Sequence, residues 1–96
     1  MAQRPVYIEF NAWTQITTAV DQEFTAQNRT TSDLMVFFKD TQPTVDTFHN
    51  DGSFEVKPGD PFQRPADAPL ATHCYVKLAN DNVDRNRKQV IPVTSA

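Results

Sequence analysis

The chain has a single cysteine, Cys74, among its 96 residues. That excludes an internal disulfide, the device by which many small secreted domains supplement a thin core. Folding in a reducing cytoplasm is the expectation that follows. No apolar run approaches the roughly 18 residues of a membrane-spanning helix, and the N-terminal stretch lacks the basic start and apolar run of a signal peptide. The sequence therefore reads as soluble and unprocessed, without a membrane partner. Excess positive charge is missing too. Nine Lys and Arg against twelve Asp and Glu leave a net charge of −3, which argues against a nucleic-acid partner. Internal repeats and low-complexity segments are also absent. The length fits one domain, 1–96, that buries somewhat over ~60% of its unfolded surface, so support from an oligomer or assembly would matter.

What the sequence does have is apolar alternation with period two. Val6, Ile8 and Phe10 alternate with Tyr7 and Glu9; Leu34, Val36 and Phe38 alternate with Met35 and Phe37; Cys74, Val76 and Leu78 alternate with His73, Tyr75 and Lys77. Side chains point to opposite faces along a strand, so each triad aims at one buried side. Residues 1–5 read as a polar N-terminal arm ending in Pro5, followed by strands at 6–10, 13–18, 23–28, 34–39, 53–57, 72–78 and 89–93. Asp21 and Gln22 are assigned to a turn, and residues 28–33 to a hairpin connection. A helix over 13–24, with Ile16, Val20 and Phe24 four residues apart, is the weaker alternative because the segment is rich in Thr. Residues 40–52 form an ordered loop in which Val45 and Phe48 are possible anchors. Lys57-Pro58-Gly59-Asp60 places Pro and Gly at the two central positions of a type II turn. Pro61, Pro65 and Pro69 deny ladder donors and predict an extended crossing at an edge, and Pro92 is expected only at an edge or strand end. Residues 80–87 read as a polar loop.

About seven short strands with turn signals between them predict an all-β fold, an antiparallel β-sandwich, with a small β-barrel as the alternative. Phe10, Trp13, Ile16, Phe24, Val36, Phe38, Phe54, Val56, Val76 and Leu78 are the expected core. The strand 34–39 is expected at the centre.

Candidate chemistry is sparse. His73 and Cys74 are adjacent on a strand and point to opposite faces, so they do not pair as base and nucleophile, and Cys74 reads as a buried structural thiol. His49, beside Asn50 and Asp51, has no second histidine near it and reads as a surface loop residue. Asn80, Asn82, Asp84 and Asn86 alternate as in a calcium loop, but the central Gly and final Glu of such a loop are missing. Asn28-Arg29-Thr30 matches a glycosylation sequon that only a secreted chain would use. No catalytic, cofactor or metal residues are assigned, and the protein is expected not to be an enzyme. Tyr7, Phe37 and Tyr75 lie opposite the buried triads and would form an outer patch suited to a protein partner or a sugar ring, unless both faces are covered internally. Charge is uneven: acidic residues gather between Asp40 and Asp67, whereas Arg85, Arg87 and Lys88 form a basic segment within 85–96, read as a C-terminal tail.

The order of the segments Trp13-Thr14-Gln15-Ile16, Phe24-Thr25-Ala26-Gln27-Asn28, Leu34-Met35-Val36-Phe37-Phe38, Pro43-Thr44, Phe54-Glu55-Val56-Lys57-Pro58-Gly59 and Tyr75-Val76-Lys77 resembles small β-sandwich structural proteins of tailed bacteriophage virions. The likeness spans roughly 13–78, and the Pro-rich crossing after Gly59 is longer than that family would have. It implies a virion component made in the host cytoplasm and working without cofactors: a head decoration or cement protein, or else a tail or head-fibre accessory protein. Its partners would be other virion proteins and copies of itself. Arg4, Tyr7, Phe37, Tyr75, Arg85, Arg87 and Lys88 are the expected partner-binding residues, Arg4 and the basic segment meeting acidic neighbours. A carbohydrate-binding module built on Trp13, Tyr75 and loop carboxylates is the alternative.

Overall fold

Among the described residues, eight strands build two four-stranded antiparallel sheets: β1 (Ala2–Tyr7), β2 (Thr14–Gln15), β3 (Phe24–Gln27), β4 (Leu34–Lys39), β5 (Phe54–Val56), β6 (Pro61–Gln63), which lies in the Pro-rich stretch read as an edge crossing, β7 (His73–Leu78) and β8 (Val90–Ser95). The computed structural model describes residues 2–10, 12–43, 54–79 and 89–95. The order is β1-β8-β3-β6 in the first sheet and β2-β7-β4-β5 in the second. The two sheets are packed as a sandwich and do not close into a barrel.

The core lies between the sheets. Val6, Phe24, Ala26, Phe62, Ile91 and Val93 point inward from the first sheet, and Leu34, Val36, Phe38, Val56, Cys74, Val76 and Leu78 from the second. Phe24 bridges them, its ring 5.9 Å from Phe62 in an edge contact and 6.3 Å from Phe38. Val36, Cys74 and Val76 have no exposed surface. Burial pushes the Cys74 thiol far above its ordinary pKa, as desolvation of a thiolate requires. β4 is central, as its apolar content predicts. Phe10 departs from the expected core at 38% exposure, because pairing with β8 stops at Tyr7 and the alternation no longer binds the chain.

Three local expectations change. Residues 2–5 are not an arm but the first four residues of an edge strand, paired from Ala2↔Ser95 to Tyr7↔Val90. The strand expected over 89–93, within the segment read as a tail, is present as β8, but Pro92 sits in its interior with a strand on each side rather than at an edge or strand end. Residues 28–33 are not a hairpin: β3 and β4 belong to different sheets, so this segment crosses between them.

Proline explains how β8 tolerates its interior position. Pro5 faces Pro92, and since neither has an N–H they form a non-hydrogen-bonded pair. The parity agrees with the Ile8 N–H donating to the Gln89 carbonyl at 2.8 Å. The missing N–H of Pro92 therefore faces β3, where the ladder ends at Ala26↔Val93. By the same alternation, the outward main-chain positions of the free edges are Gln3, Pro5 and Tyr7 on β1, and Pro61 and Gln63 on β6. Each edge of this sheet thus carries a proline where an added strand would need a donor. The edges of the other sheet are β2, two residues long, and β5, three.

The joint between the layers is Asn28, which has no exposed surface. Its Nδ2 donates to the Ser32 and Val56 carbonyls at 2.9 Å each, and its Oδ1 accepts from the Thr30 N–H at 3.0 Å and from the Thr30 hydroxyl. The sequon asparagine is thus a fully occupied buried amide. Its main chain also holds the Pro-Gly turn: the Gly59 N–H donates to the Asn28 carbonyl at 2.7 Å and the Asn28 N–H to the Asp60 carbonyl at 2.9 Å. The turn is the type II predicted, with Gly59 at φ 91° and the Asp60 N–H bonded to the Lys57 carbonyl at 3.0 Å.

Candidate functional site

The outward positions of β1, β8, β3 and β6 form ordered rows. Gln3, Thr94, Thr25 and Gln63 lie side by side across the sheet, followed by Pro5, Pro92, Gln27 and Pro61, and then Tyr7 with Val90. None of these side chains is charged, although 22% of the chain is Asp, Glu, Lys or Arg. Arg29 stands at the margin, with its Nε bonded to Gln27 Oε1 at 3.0 Å. A shallow depression of about 270 Å³ runs over the Gln, Thr and Pro rows with Arg29 as the charged member of its lining, and Tyr7 is 55% exposed at the far end. Sequence reasoning took Tyr7 from this face but missed the rest. The signal was the absence of charge at every second residue in 3–7, 25–27, 61–63 and 90–94.

The outward side of the other sheet is different. Phe37 and Tyr75, expected with Tyr7 on one patch, are on the opposite layer and only 6% and 3% exposed. They form a second apolar cluster with Met35 and Trp13. Trp13, assigned to the main core, lies 5.9 Å from the Phe37 ring, and its carbonyl accepts from Gln42 Nε2 at 3.0 Å. The Lys77 ammonium lies over this cluster, 4.9 Å from the Phe10 ring and 5.8 Å from Trp13. Burial lowers the pKa of Lys77 and raises that of Tyr75, to which Asp40 adds repulsion. The exposed three-ring patch therefore does not exist, because Trp13 and Lys77 overlie the two central strands. The same packing covers the rings that a carbohydrate site on Trp13 and Tyr75 would need for stacking.

Arg4 is also committed elsewhere. It shares the inward side of β1 with Val6, is half-buried, and donates from Nη2 to the Ile16 carbonyl. Arg85, Arg87 and Lys88 lie outside the described residues, as do His49, Val45, Phe48 and the Asn80, Asn82, Asp84, Asn86 series.

Two polar constellations remain. Thr17 Oγ1 lies 2.9 Å from His73 Nδ1 and accepts the Cys74 N–H at 3.2 Å. At 3% exposure Thr17 is a cross-link between β7 and the chain after β2 rather than an accessible nucleophile. Asp21 clamps two turns: its carboxylate accepts the Ala71 N–H at 3.0 Å, the Thr72 N–H at 3.2 Å and Arg64 Nη2 at 3.1 Å. The Ala71 N–H, then the Thr72 N–H, with a smaller contribution from Arg64, hold the Asp21 carboxyl below its ordinary pKa of 3.8. With the folded value depressed, the clamp is fully made above the ordinary carboxylate pKa and is lost as pH falls through the lower folded one. Asp21 and Ala71 both have left-handed backbones, at φ 56° and 61°, a conformation that costs a non-glycine residue roughly 1 kcal/mol and persists only when the surroundings fix it.

Among the described residues no group of three His, Cys, Asp or Glu side chains is placed to hold a metal ion. The prominent feature is thus an uncharged, ordered, solvent-facing sheet. Comparison with protein-family models, curated proteins and solved structures finds no match to the chain.

Proposed function

We propose that the protein is a non-enzymatic structural component of a bacteriophage virion, a capsid decoration protein that seats the outer face of the β1-β8-β3-β6 sheet on the assembled shell. The observation that carries this reading is that face itself: charge-free rows of Gln, Thr and Pro ending at exposed Tyr7, on a sheet whose free edges are blocked by Pro5 and Pro61. Blocked edges exclude partner recognition by strand addition, leaving face-to-face docking as the mode the sheet supports. An uncharged face removes little hydration from ions when covered, and repetition over a symmetric shell multiplies a weak contact by avidity. The basic segment with Arg85, Arg87 and Lys88 supplies a complementary attraction to acidic neighbours in this reading.

The test is protein composition of particles purified from the phage that encodes the chain. The chain is expected in intact heads, in stoichiometric ratio to the shell subunit. Tyr7→Arg is expected to abolish incorporation while the far-UV circular dichroism of the purified variant stays unchanged. Detection in isolated tails alone would replace the decoration role with a tail accessory one, and absence from particles would overturn the virion reading. Replacing Arg85, Arg87 and Lys88 together by Gln is the proper probe of the basic segment, since deleting 85–96 would remove β8 from the interior of its sheet.

A further inference from the structure

We infer that Arg29 is the charged anchor of the outer face of the β1-β8-β3-β6 sheet, and that it takes a carboxylate of the protein docked there, an acidic side chain of the shell subunit. This rests on the shell-docking reading and adds to it the chemistry of the contact.

The segment Asn28-Arg29-Thr30, legible in the sequence only as a glycosylation sequon, serves another purpose in the fold. Asn28 Oδ1 accepts the Thr30 N–H at 3.0 Å, which closes an Asx turn around Arg29. Asn28 and Thr30 are both buried, and Arg29 between them is exposed. Its main chain is therefore fixed before any partner arrives. The side chain is held as well. Gln27 Nε2 donates to the Gly59 carbonyl at 3.1 Å, which turns the amide so that Gln27 Oε1 accepts the Arg29 Nε–H at 3.0 Å. Gly59 is itself tied to the Asn28 carbonyl through its N–H at 2.7 Å. A run of bonds thus leads from the Pro-Gly turn to the guanidinium, so engaging Arg29 orders little further chain.

Only Nε is spent on this mounting. Neither terminal nitrogen of Arg29 is hydrogen-bonded among the described residues, and the ion pair found among them, Arg64–Asp21 at 3.1 Å, lies elsewhere. The two terminal N–H groups form a planar fork that matches the two oxygens of a carboxylate. Arg29 also lines the depression of about 270 Å³, beside Thr25, Gln27, Pro61 and Pro92. Those neighbours are neutral, so nothing else in the lining competes for the guanidinium or adds a second charge. The complement is one negative group set in an otherwise neutral partner surface. A polyanion does not fit, because one cation on a chain of net charge −3 offers no extended positive track. Covering the face also removes water from the pair, which strengthens a charge-assisted contact that is weak in bulk solvent.

The experiment titrates heads, purified from phage in which the gene for this chain is deleted, with the purified full chain. It compares the wild type with Arg29→Gln, Arg29→Lys, Gln27→Met and the double variant of Arg29→Gln with Gln27→Met, with urea unfolding to establish that each is folded. Arg29→Gln is expected to raise the dissociation constant about tenfold. Arg29→Lys is expected to fall between the two, since an ammonium keeps the charge and loses the fork. Gln27→Met, which releases the guanidinium, is expected to weaken binding alone and to add nothing to Arg29→Gln. Raising the salt from about 50 to about 500 mM is expected to weaken the wild type more than Arg29→Gln, narrowing the gap. Wild-type affinity in Arg29→Gln, or a loss there that salt does not narrow, overturns the inference and leaves shell docking standing. Heads that bind no wild-type chain overturn the docking reading, and this inference with it.

Discussion

The outward side of β4 and β7 carries Met35, Phe37 and Tyr75, none more than 6% exposed, whereas the outward side of β1 and β8 carries Gln3, Pro5, Thr94 and a Tyr7 that is 55% exposed. The inward sides of the two sheets are alike, both lined with branched aliphatic and aromatic residues that share one core. The difference outside lies in what the sequence supplies to cover each sheet. On the second sheet, Trp13 packs on Phe37 and the Lys77 stem and ammonium lie over the rings, so apolar residues at both parities of the strand are buried. On the first sheet nothing among the described residues overlies the strands, and the chain places neutral polar residues and proline there. The central strands β4 and β7 of one sheet are buried on both sides and the other sheet on one, which assigns stability to the first and leaves the second as the free surface.

The largest test of that division is Trp13→Ala, which removes the lid of the outer cluster. It is expected to destabilise the fold by about 3–5 kcal/mol in urea titration, and a loss under about 1 kcal/mol would mean the cluster is only surface decoration. Lys77→Met is the intermediate case. It keeps the apolar stem and deletes the charge over Phe10 and Trp13, so a loss of about 0.5–1 kcal/mol is expected in the same titration. The smallest effect is expected for Thr25→Asp at the middle of the opposite face. Stability should change by under about 1 kcal/mol, while incorporation into particles is lost through a desolvated charge. A large drop in stability there would show that the face is covered within the chain.

How much of this was legible follows from the kind of signal at each place. β4 runs from Leu34 to Lys39 as read from the sequence, and the inward triads of β4 and β7 are buried as their alternation demands. Alternation failed where both parities are apolar. In Leu34-Met35-Val36-Phe37-Phe38, period two identifies one face as core and cannot say that the other is also covered; that required Trp13, distant in sequence from both β4 and β7. Proline misled twice. Pro5 suggested an arm and Pro92 an edge, because sequence shows the missing N–H but not which neighbour it faces. Opposed in one non-hydrogen-bonded pair, the two prolines fit where either alone would be disfavoured. The sequon at Asn28 concealed an amide that joins both layers, since burial there depends on the Pro-Gly turn folding back from residues 57–60. The uncharged face left a negative trace only, a lack of charge at alternate positions in strands far apart in the chain.

The lone thiol near the start of β7 turns the protein into its own clock. Cys74 has no exposed surface and burial disfavours its thiolate, so an alkylating reagent added to the folded chain meets no nucleophile until the two layers part. At saturating reagent the labelling rate equals the rate at which the sandwich opens, and at low reagent it reports the fraction open at equilibrium. Kinetic and equilibrium opening of each variant are therefore readable from one unmodified side chain, in solution or on an assembled particle, without a fluorophore or a tag.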